Sequence, residues 1–220
     1  MCIKCKINWR LPSKLLLGII AVLVFSLLLL WVHLHQREKK LMEQHIRVLY
    51  DTTELRSGDL MFRNGLSAES LVVTQASNSD YSHVGIAYHM PSGWHVIHAV
   101  PGEAPQGEPE YLKCEPIADF YDPSRAMAGA SASIRCDNAS ALRAAREAFS
   151  KVEQKVLFDN DYDLNDTTEL YCSELVWRAY LEEGLNLVND GNSYSTIYPE
   201  LLWTSPQIAK RKVFRTTIEK

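Results

Sequence analysis

The chain has 220 residues and a net charge of −4, with 23 Lys and Arg against 27 Asp and Glu. With no basic cluster in its polar part, that balance argues against a nucleic-acid partner. Setting the apolar N-terminus aside leaves about 170 residues, enough for one domain with a real core, and no repeat or long low-complexity run divides it.

Residues 15–32 are apolar apart from Gly18 and Ser26, close to the minimum length for crossing a bilayer as a helix. Lys4, Lys6, Arg10 and Lys14 precede this run, and Trp9 and Trp31 are placed to sit at the two interfaces. A cleaved signal peptide is the rival reading. The run is long for a signal h-region, and the residues after Trp31 are not a small-residue cleavage site. The expected organisation is therefore a cytoplasmic segment at 1–14, a signal anchor at 15–32, a polar helical stalk at 33–52 and a domain at 53–220. That topology makes a single-pass membrane protein whose domain is periplasmic or extracytoplasmic.

In the domain, Ser57-Gly58-Asp59 predicts a turn, with Asp59 a turn residue, and 60–63 a strand. Ser67 caps a helix to about 76, with Leu71 and Val72 facing inward. Residues 84–88 and 94–100 predict two strands around Pro91-Ser92-Gly93. A loop at 101–109, a short helix at 116–121 and a strand at 132–136 follow. Asn138 or Ser140 caps a helix to about 154, with Leu142, Ala145 and Phe149 on one face. An acidic loop at 159–166 leads to a helix at 169–183, closed by Gly184. Ser205-Pro206 predicts a final short helix and 213–217 a last strand. The fold class is α+β, a mainly antiparallel sheet packed against helices.

Of the five cysteines, Cys2 and Cys5 precede the apolar run, and Cys114 and Cys136 read as small core residues rather than a disulfide. No CxxC or His/Cys ligand spacing points to zinc, so no metal or cofactor is expected. Cys172, in Tyr171-Cys172-Ser173-Glu174-Leu175, falls in the first turn of a predicted helix. Free N–H groups and the helix dipole favour a thiolate there, and the Cys172 N–H can bind an oxyanion. Taken alone, such a cysteine is more often a buried apolar residue.

His83 opens the strand that continues Val84-Gly85-Ile86, and parity puts His83 and Gly85 on the face opposite Val84 and Ile86. Gly85 leaves room beside His83 for substrate or for the helix that carries Cys172. A base needs an orienting third group, and His89, His95 and His98 follow in the chain. An even-length hairpin loop puts His98 on the His83 face, and a four-residue loop sets Gly85 opposite His98 and brings His98 diagonal to His83, at roughly 7–8 Å between Cβ atoms. An odd-length loop favours His95 instead. His89, near the turn, faces solvent.

The ordered set Gly58-Asp59, Tyr81-Ser82-His83-Val84-Gly85, His98-Ala99, Tyr162-Asp163, Tyr171-Cys172-Ser173-Glu174-Leu175 and Ser205-Pro206-Gln207 resembles the circularly permuted papain-like amidase family (YiiX/YebB-like) over about 55–215. The resemblance implies a permuted papain-like fold with Cys172 as nucleophile, His83 as base and His98 as orienting group. Many relatives carry Glu at that last position. A histidine there resembles the non-permuted cell-wall peptidases, and it stabilises an imidazolium less than a carboxylate does. The likeness to the non-permuted peptidases, where a tyrosine upstream of the cysteine helps form the oxyanion site, suggests Tyr162 for that role; Tyr81 and Asp59 are candidates to line the cleft, with the turn role favoured for Asp59. It implies a cysteine hydrolase acting on a small amide or peptide, such as a cell-wall peptide. Two alternatives stand beside it: a lipid acyltransferase or thioesterase using the same triad, and a non-catalytic membrane-tethered binding module.

Overall fold

The structure is a computed structural model that describes residues 20–33, 45–188 and 191–219. Two compact units divide the chain, 1–44 and 45–220. In the first, residues 20–33 form a helix, α1, whose Leu, Val and Phe side chains are exposed. Among the described residues no helix is long and apolar enough to cross a membrane. The expected span is described only from residue 20 onward, and the segment at 1–14 and most of the stalk, 34–44, lie outside the described residues.

The second unit starts earlier than the composition suggested. Residues 45–49, read as part of a helical stalk, form strand β1 (His45–Leu49), paired antiparallel with β8 (Arg215–Glu219). Ile46 and Val48 alternate with Arg47, which suits a half-buried strand better than a solvated helix. Val48 is buried beside Phe214 and Tyr121.

Six further strands make one antiparallel sheet in the order β5-β4-β3-β2-β6-β7. They are β2 (Leu60–Gly65), β3 (His83–Met90), β4 (Gly93–His98), β5 (Lys113–Pro116), β6 (Ala126–Ile134) and β7 (Ile208–Val213). Strict alternation divides its two faces. Leu60, Phe62, Val84, Ile86, Ile97, Ala130 and Ala132 point to one side, where α4 (Asn138–Glu153) and α5 (Cys172–Leu181) cover them. Met61, Ala87 and Val96 point to the other, against Ile117 and Phe120 of α3 (Ile117–Phe120) and against Tyr121.

Several elements depart from the sequence reading, each for a local reason. The N-cap of α4 is Asp137, whose carboxylate accepts from the Ser140 N–H at 2.7 Å, so the helix starts at Asn138 rather than beyond it. Its inner face is Ala141, Ala144, Ala145 and Ala148, with Leu142 only half-buried. Small side chains there let α4 approach Gly58 closely, where an added Cβ would lie 2.4 Å from the Ala141 carbonyl oxygen. The last short helix, α6 (Pro199–Trp203), starts at Pro199 rather than at Ser205-Pro206, because Pro199 supplies the fixed φ that suits a first helical position. Strand β6 begins at Ala126, six residues before the predicted strand, because the whole stretch pairs with β2.

The helix α2 (Ala68–Ser77) forms as expected, capped by Ser67 accepting from the Ser70 N–H at 3.1 Å. It buries no side chain, however: Leu71 and Val72, expected to face inward, are 59% and 64% exposed. Their apolar pair carries no helical periodicity on either side, so it never specified an inward face.

Candidate active site

Helix α5 starts at Cys172 itself, three residues later than the predicted 169, with Tyr171 at the N-cap in an extended conformation (φ −96°, ψ 172°). Leu175, Val176, Ala179 and Tyr180 bury its inner face against the sheet. Two contacts pin its N-terminus to the segment before α6: the Ser173 hydroxyl donates to Ile197 O at 2.5 Å, and the Ile197 N–H donates to the Tyr171 hydroxyl at 2.8 Å. The Tyr180 hydroxyl donates to Gly58 O, tying the far side of the helix to the turn before β2.

Cys172 is buried, and its sulfur lies 3.9 Å from the Ser173 hydroxyl. Burial pushes the thiol pKa up. The backbone N–H of Val84, the Ser173 hydroxyl and N–H, and its own N–H pull the other way. The sulfur is therefore a neutral thiol at rest, set among N–H groups and beside the first peptide of β3.

That peptide joins Val84 to His83, which is also buried. The hairpin loop is even-length, Met90 pairing with Gly93 and Ile86 with Ile97. The register thus continues to Gly85 opposite His98, as parity required. His83 Nε2 lies 2.8 Å from His98 Nδ1, the two rings at 76° with centroids 5.0 Å apart. His95 falls on the other face, bonded to Gly93 O, and His89 is exposed against Trp94. The space at Gly85 is used differently from either expected way. A Cβ there would lie 2.7 Å from Ile97 O and 3.0 Å from the His98 Cβ, so the glycine admits β4 rather than substrate or α5.

The pair does not end at His98. His98 Nε2 lies 3.0 Å from Oε1 of Glu115, a residue the sequence reading did not single out. Glu115 stands on β5, where Val96 pairs with it and His98 pairs with Lys113, so 113 and 115 share the His98 face. The alternation of charged, apolar and charged side chains in Lys113-Cys114-Glu115 is the one sequence signal that pointed there.

Burial, then the charges of Arg63, His98 and Lys113, hold the His83 pKa well below its ordinary value. Burial likewise lowers His98, against the opposing hydrogen bond to Glu115. Burial would raise Glu115, but the His98 hydrogen bond and the charges of His98, Lys113 and Arg125 bring it down to about 2. At neutral pH both imidazoles are neutral and the carboxylate is ionised. Arg63, opposite His83 on β2, is buried with its guanidinium 4.7 Å above the Phe120 ring, and that ring packs on both imidazoles.

Tyr162 adopts a left-handed backbone conformation (φ 55°), its N–H donating to Asp159 Oδ1 at 3.0 Å. Burial first, then the neighbouring Cys172, push its phenol up to about 12, so the hydroxyl stays a proton donor and has Cys172 as an electrostatic neighbour. Tyr81, read as lining the cleft, is instead a core side chain: it is buried and packs on Phe62 and Trp203, with centroids 5.5 and 4.9 Å away. Cys114 and Cys136 are free thiols, both half-buried.

Glu174 carries the other unusual charge. Fully buried, it bonds Arg178 Nε through Oε1 at 2.6 Å, while Oε2 has no partner. Burial raises its pKa to about 7 against the pull of Arg178. A carboxylate raised above its unfolded value holds extra protons in the folded state. Its contribution is complete below pH 4.5 and is lost as pH rises through about 7. Urea midpoints of wild type and Glu174→Gln measured from pH 4 to 8 should therefore converge or cross as pH rises, with wild type losing ground. A constant difference would show that Glu174 ionises normally.

No protein-family profile matches the chain, and no curated protein matches it. Among solved structures it is similar to the metalloprotein YiiX from Escherichia coli O157:H7, of DUF1105. The TM-score is 0.56 and the identity 17%, over 75% of this chain and 97% of that one. Among the described residues of this chain, no group of three or more His, Cys, Asp and Glu side chains is placed to hold a metal ion, so its residues do not fit that property of YiiX. His98 instead uses both ring nitrogens in hydrogen bonds, Nδ1 with His83 and Nε2 with Glu115. The second unit of the chain, with its antiparallel sheet and packed helices, has the YiiX-like fold.

Proposed function

We propose that this chain is a cysteine-dependent hydrolase of permuted papain-like architecture, with Cys172 as nucleophile and His83 as base. The observation that carries the reading is the buried His83–His98 pair at 2.8 Å, which begins at the peptide beside the Cys172 sulfur. The chain order of a His-bearing strand before a Cys-bearing helix supports the permuted arrangement.

His83 uses Nε2 on His98; in the proposed reaction its other nitrogen, Nδ1, receives the thiol proton. A raised thiol and a lowered imidazole favour the neutral forms at rest, so the proton moves as the sulfur attacks. Sγ bonds to the carbonyl carbon of an amide or ester, and the carbonyl electrons move to oxygen. The Cys172 N–H, with the Tyr162 hydroxyl, donates to that oxyanion. On collapse, the amine or alcohol leaves with the proton from His83, and a thioester remains. Water then loses a proton to His83 and attacks the thioester, and the released sulfur takes the proton back. A small amide or peptide, such as a cell-wall peptide, is the substrate class that fits. The N-terminal apolar run serves as membrane anchor, with the catalytic unit on the extracytoplasmic side.

A lipid acyl donor is the second reading, favoured by the exposed Leu71 and Val72 of α2. Glu69 of that helix is an electrostatic neighbour of Tyr162, as is Cys172. The deciding experiment incubates wild type and Cys172→Ala with muropeptides, model amides and phospholipid vesicles, with mass analysis of the protein. Turnover of peptide or amide lost in Cys172→Ala supports the hydrolase. An acyl adduct on Cys172 from phospholipid alone supports the second reading. Turnover unchanged in the variant overturns both.

A further inference from the structure

Glu115 lies two positions beyond the residue paired with His98, and its two oxygens are committed to different partners. Oε1 faces His98 Nε2 at 3.0 Å, and Oε2 faces Arg125 at 3.0 Å and Lys113 at 3.6 Å. Those two cations also hold Glu103, at 3.3 and 2.7 Å, and Glu103 in turn holds Arg63 at 2.5 Å. The carboxylate is thus surrounded by His98 from β4, Lys113 from β5, Arg125 from the turn before β6, Glu103 from the loop after β4, and through it Arg63 from β2. Such a clamp fixes where the oxygen sits far better than an exposed ion pair does.

We infer that Glu115 is a positioning residue that sets the tautomers of both imidazoles, and so leaves His83 Nδ1 unprotonated to act as the base. The logic is a chain of donor and acceptor roles. An ionised carboxylate only accepts, so His98 Nε2 must carry the proton. Neutral His98 then presents a lone pair at Nδ1, and that nitrogen faces His83 Nε2, which must carry its own proton. Neutral His83 is left with its lone pair at Nδ1. Reverse the first bond and every later one reverses, and the nitrogen available to the thiol becomes a donor. Glu115 also lies at the end of the chain where positive charge would spread when His83 becomes an imidazolium, which replaces what a direct carboxylate neighbour would supply. The inference deepens the hydrolase reading and rests on it.

The test reads the tautomers directly, by two-bond ¹⁵N–¹H correlation on histidine-labelled full-length protein. Alongside it, the rate of Cys172 alkylation by iodoacetamide is followed from pH 5 to 10. The expected wild-type spectrum has both His83 and His98 protonated at Nε2. In Glu115→Gln, whose amide can donate as well as accept, part of His98 should switch to the Nδ1-protonated form, and alkylation at neutral pH should slow by about 10- to 100-fold, as for other orienting partners of a histidine. Glu115→Asp should restore both. A wild-type His98 protonated at Nδ1 overturns the inference without any variant, so the test stands even if Glu115→Gln fails to fold. Unchanged tautomers and rate in a folded Glu115→Gln also overturn it. Wild-type tautomers as stated, with Cys172 alkylation at neutral pH unchanged in a folded His83→Ala, would sink the hydrolase reading and leave the tautomer chain standing.

Discussion

His83→Ala is expected to slow Cys172 alkylation at neutral pH, and any Cys172-dependent turnover, by about 10²- to 10⁴-fold, the usual contribution of a positioned general base. The argument is electrostatic as well as geometric. Burial keeps the Cys172 thiol protonated, so without an acceptor the sulfur must lose its proton to water through a buried site. The N–H groups of Val84, Ser173 and Cys172 lower that cost but offer no place for the proton. The substitution also strips His98 Nδ1 of its partner, costing about 1–3 kcal/mol for a buried unsatisfied group. Urea unfolding measured with the alkylation rate separates the two effects. A rate that falls only with the folded fraction removes His83 from the chemistry.

Gly85→Ala should disturb the same site from behind, lowering stability by about 1–3 kcal/mol for overpacking and slowing alkylation by roughly 10²-fold through displacement of about 1 Å. The new Cβ would lie 2.5 Å from Val96 Cγ1, and a rotamer change can relieve that contact. The Ile97 carbonyl oxygen at 2.7 Å cannot turn away, because it is backbone between β3 and β4. Relief requires the two strands to part where the His83–His98 bond spans them at 2.8 Å. Chemical denaturation and alkylation, read on the same preparation, check both parts. A variant as stable and as reactive as wild type would show that the strands yield at this point without cost.

Much of the fold was legible because local rules act over short spans. The Ser67 cap, the turn at Ser57-Gly58-Asp59 and the Gly184 stop with φ 74° need only neighbouring residues to work. Asp59 behaves as the turn residue it was taken for, its carboxylate accepting from the Arg56 N–H at 3.1 Å. The even-length hairpin was enough to choose His98 over His95, since strand parity carries the register from Met90 opposite Gly93 back to the site. The failures share a different cause. Strand β1 pairs with β8 at the far end of the chain, and β6 owes its first six residues to pairing with β2. The exposed pair on α2 looked apolar enough to bury, but no element of the described structure packs over it.

The chain's own order of residues determined that a cysteine would stand at a helix start, that a histidine would open a strand, and that a second histidine would share that strand's face. Those are consequences of helix capping and of the period of two, and they need no knowledge of what else is nearby. Tertiary structure alone decided the rest. It buried the thiol, which raised it, and buried both imidazoles, which lowered them. It also brought Glu115, 17 residues beyond His98, to Nε2 of that ring, so that a carboxylate stands behind the histidine. A pairing between strands joined by a long loop cannot be read from spacing, because the loop leaves the register free until the sheet sets it.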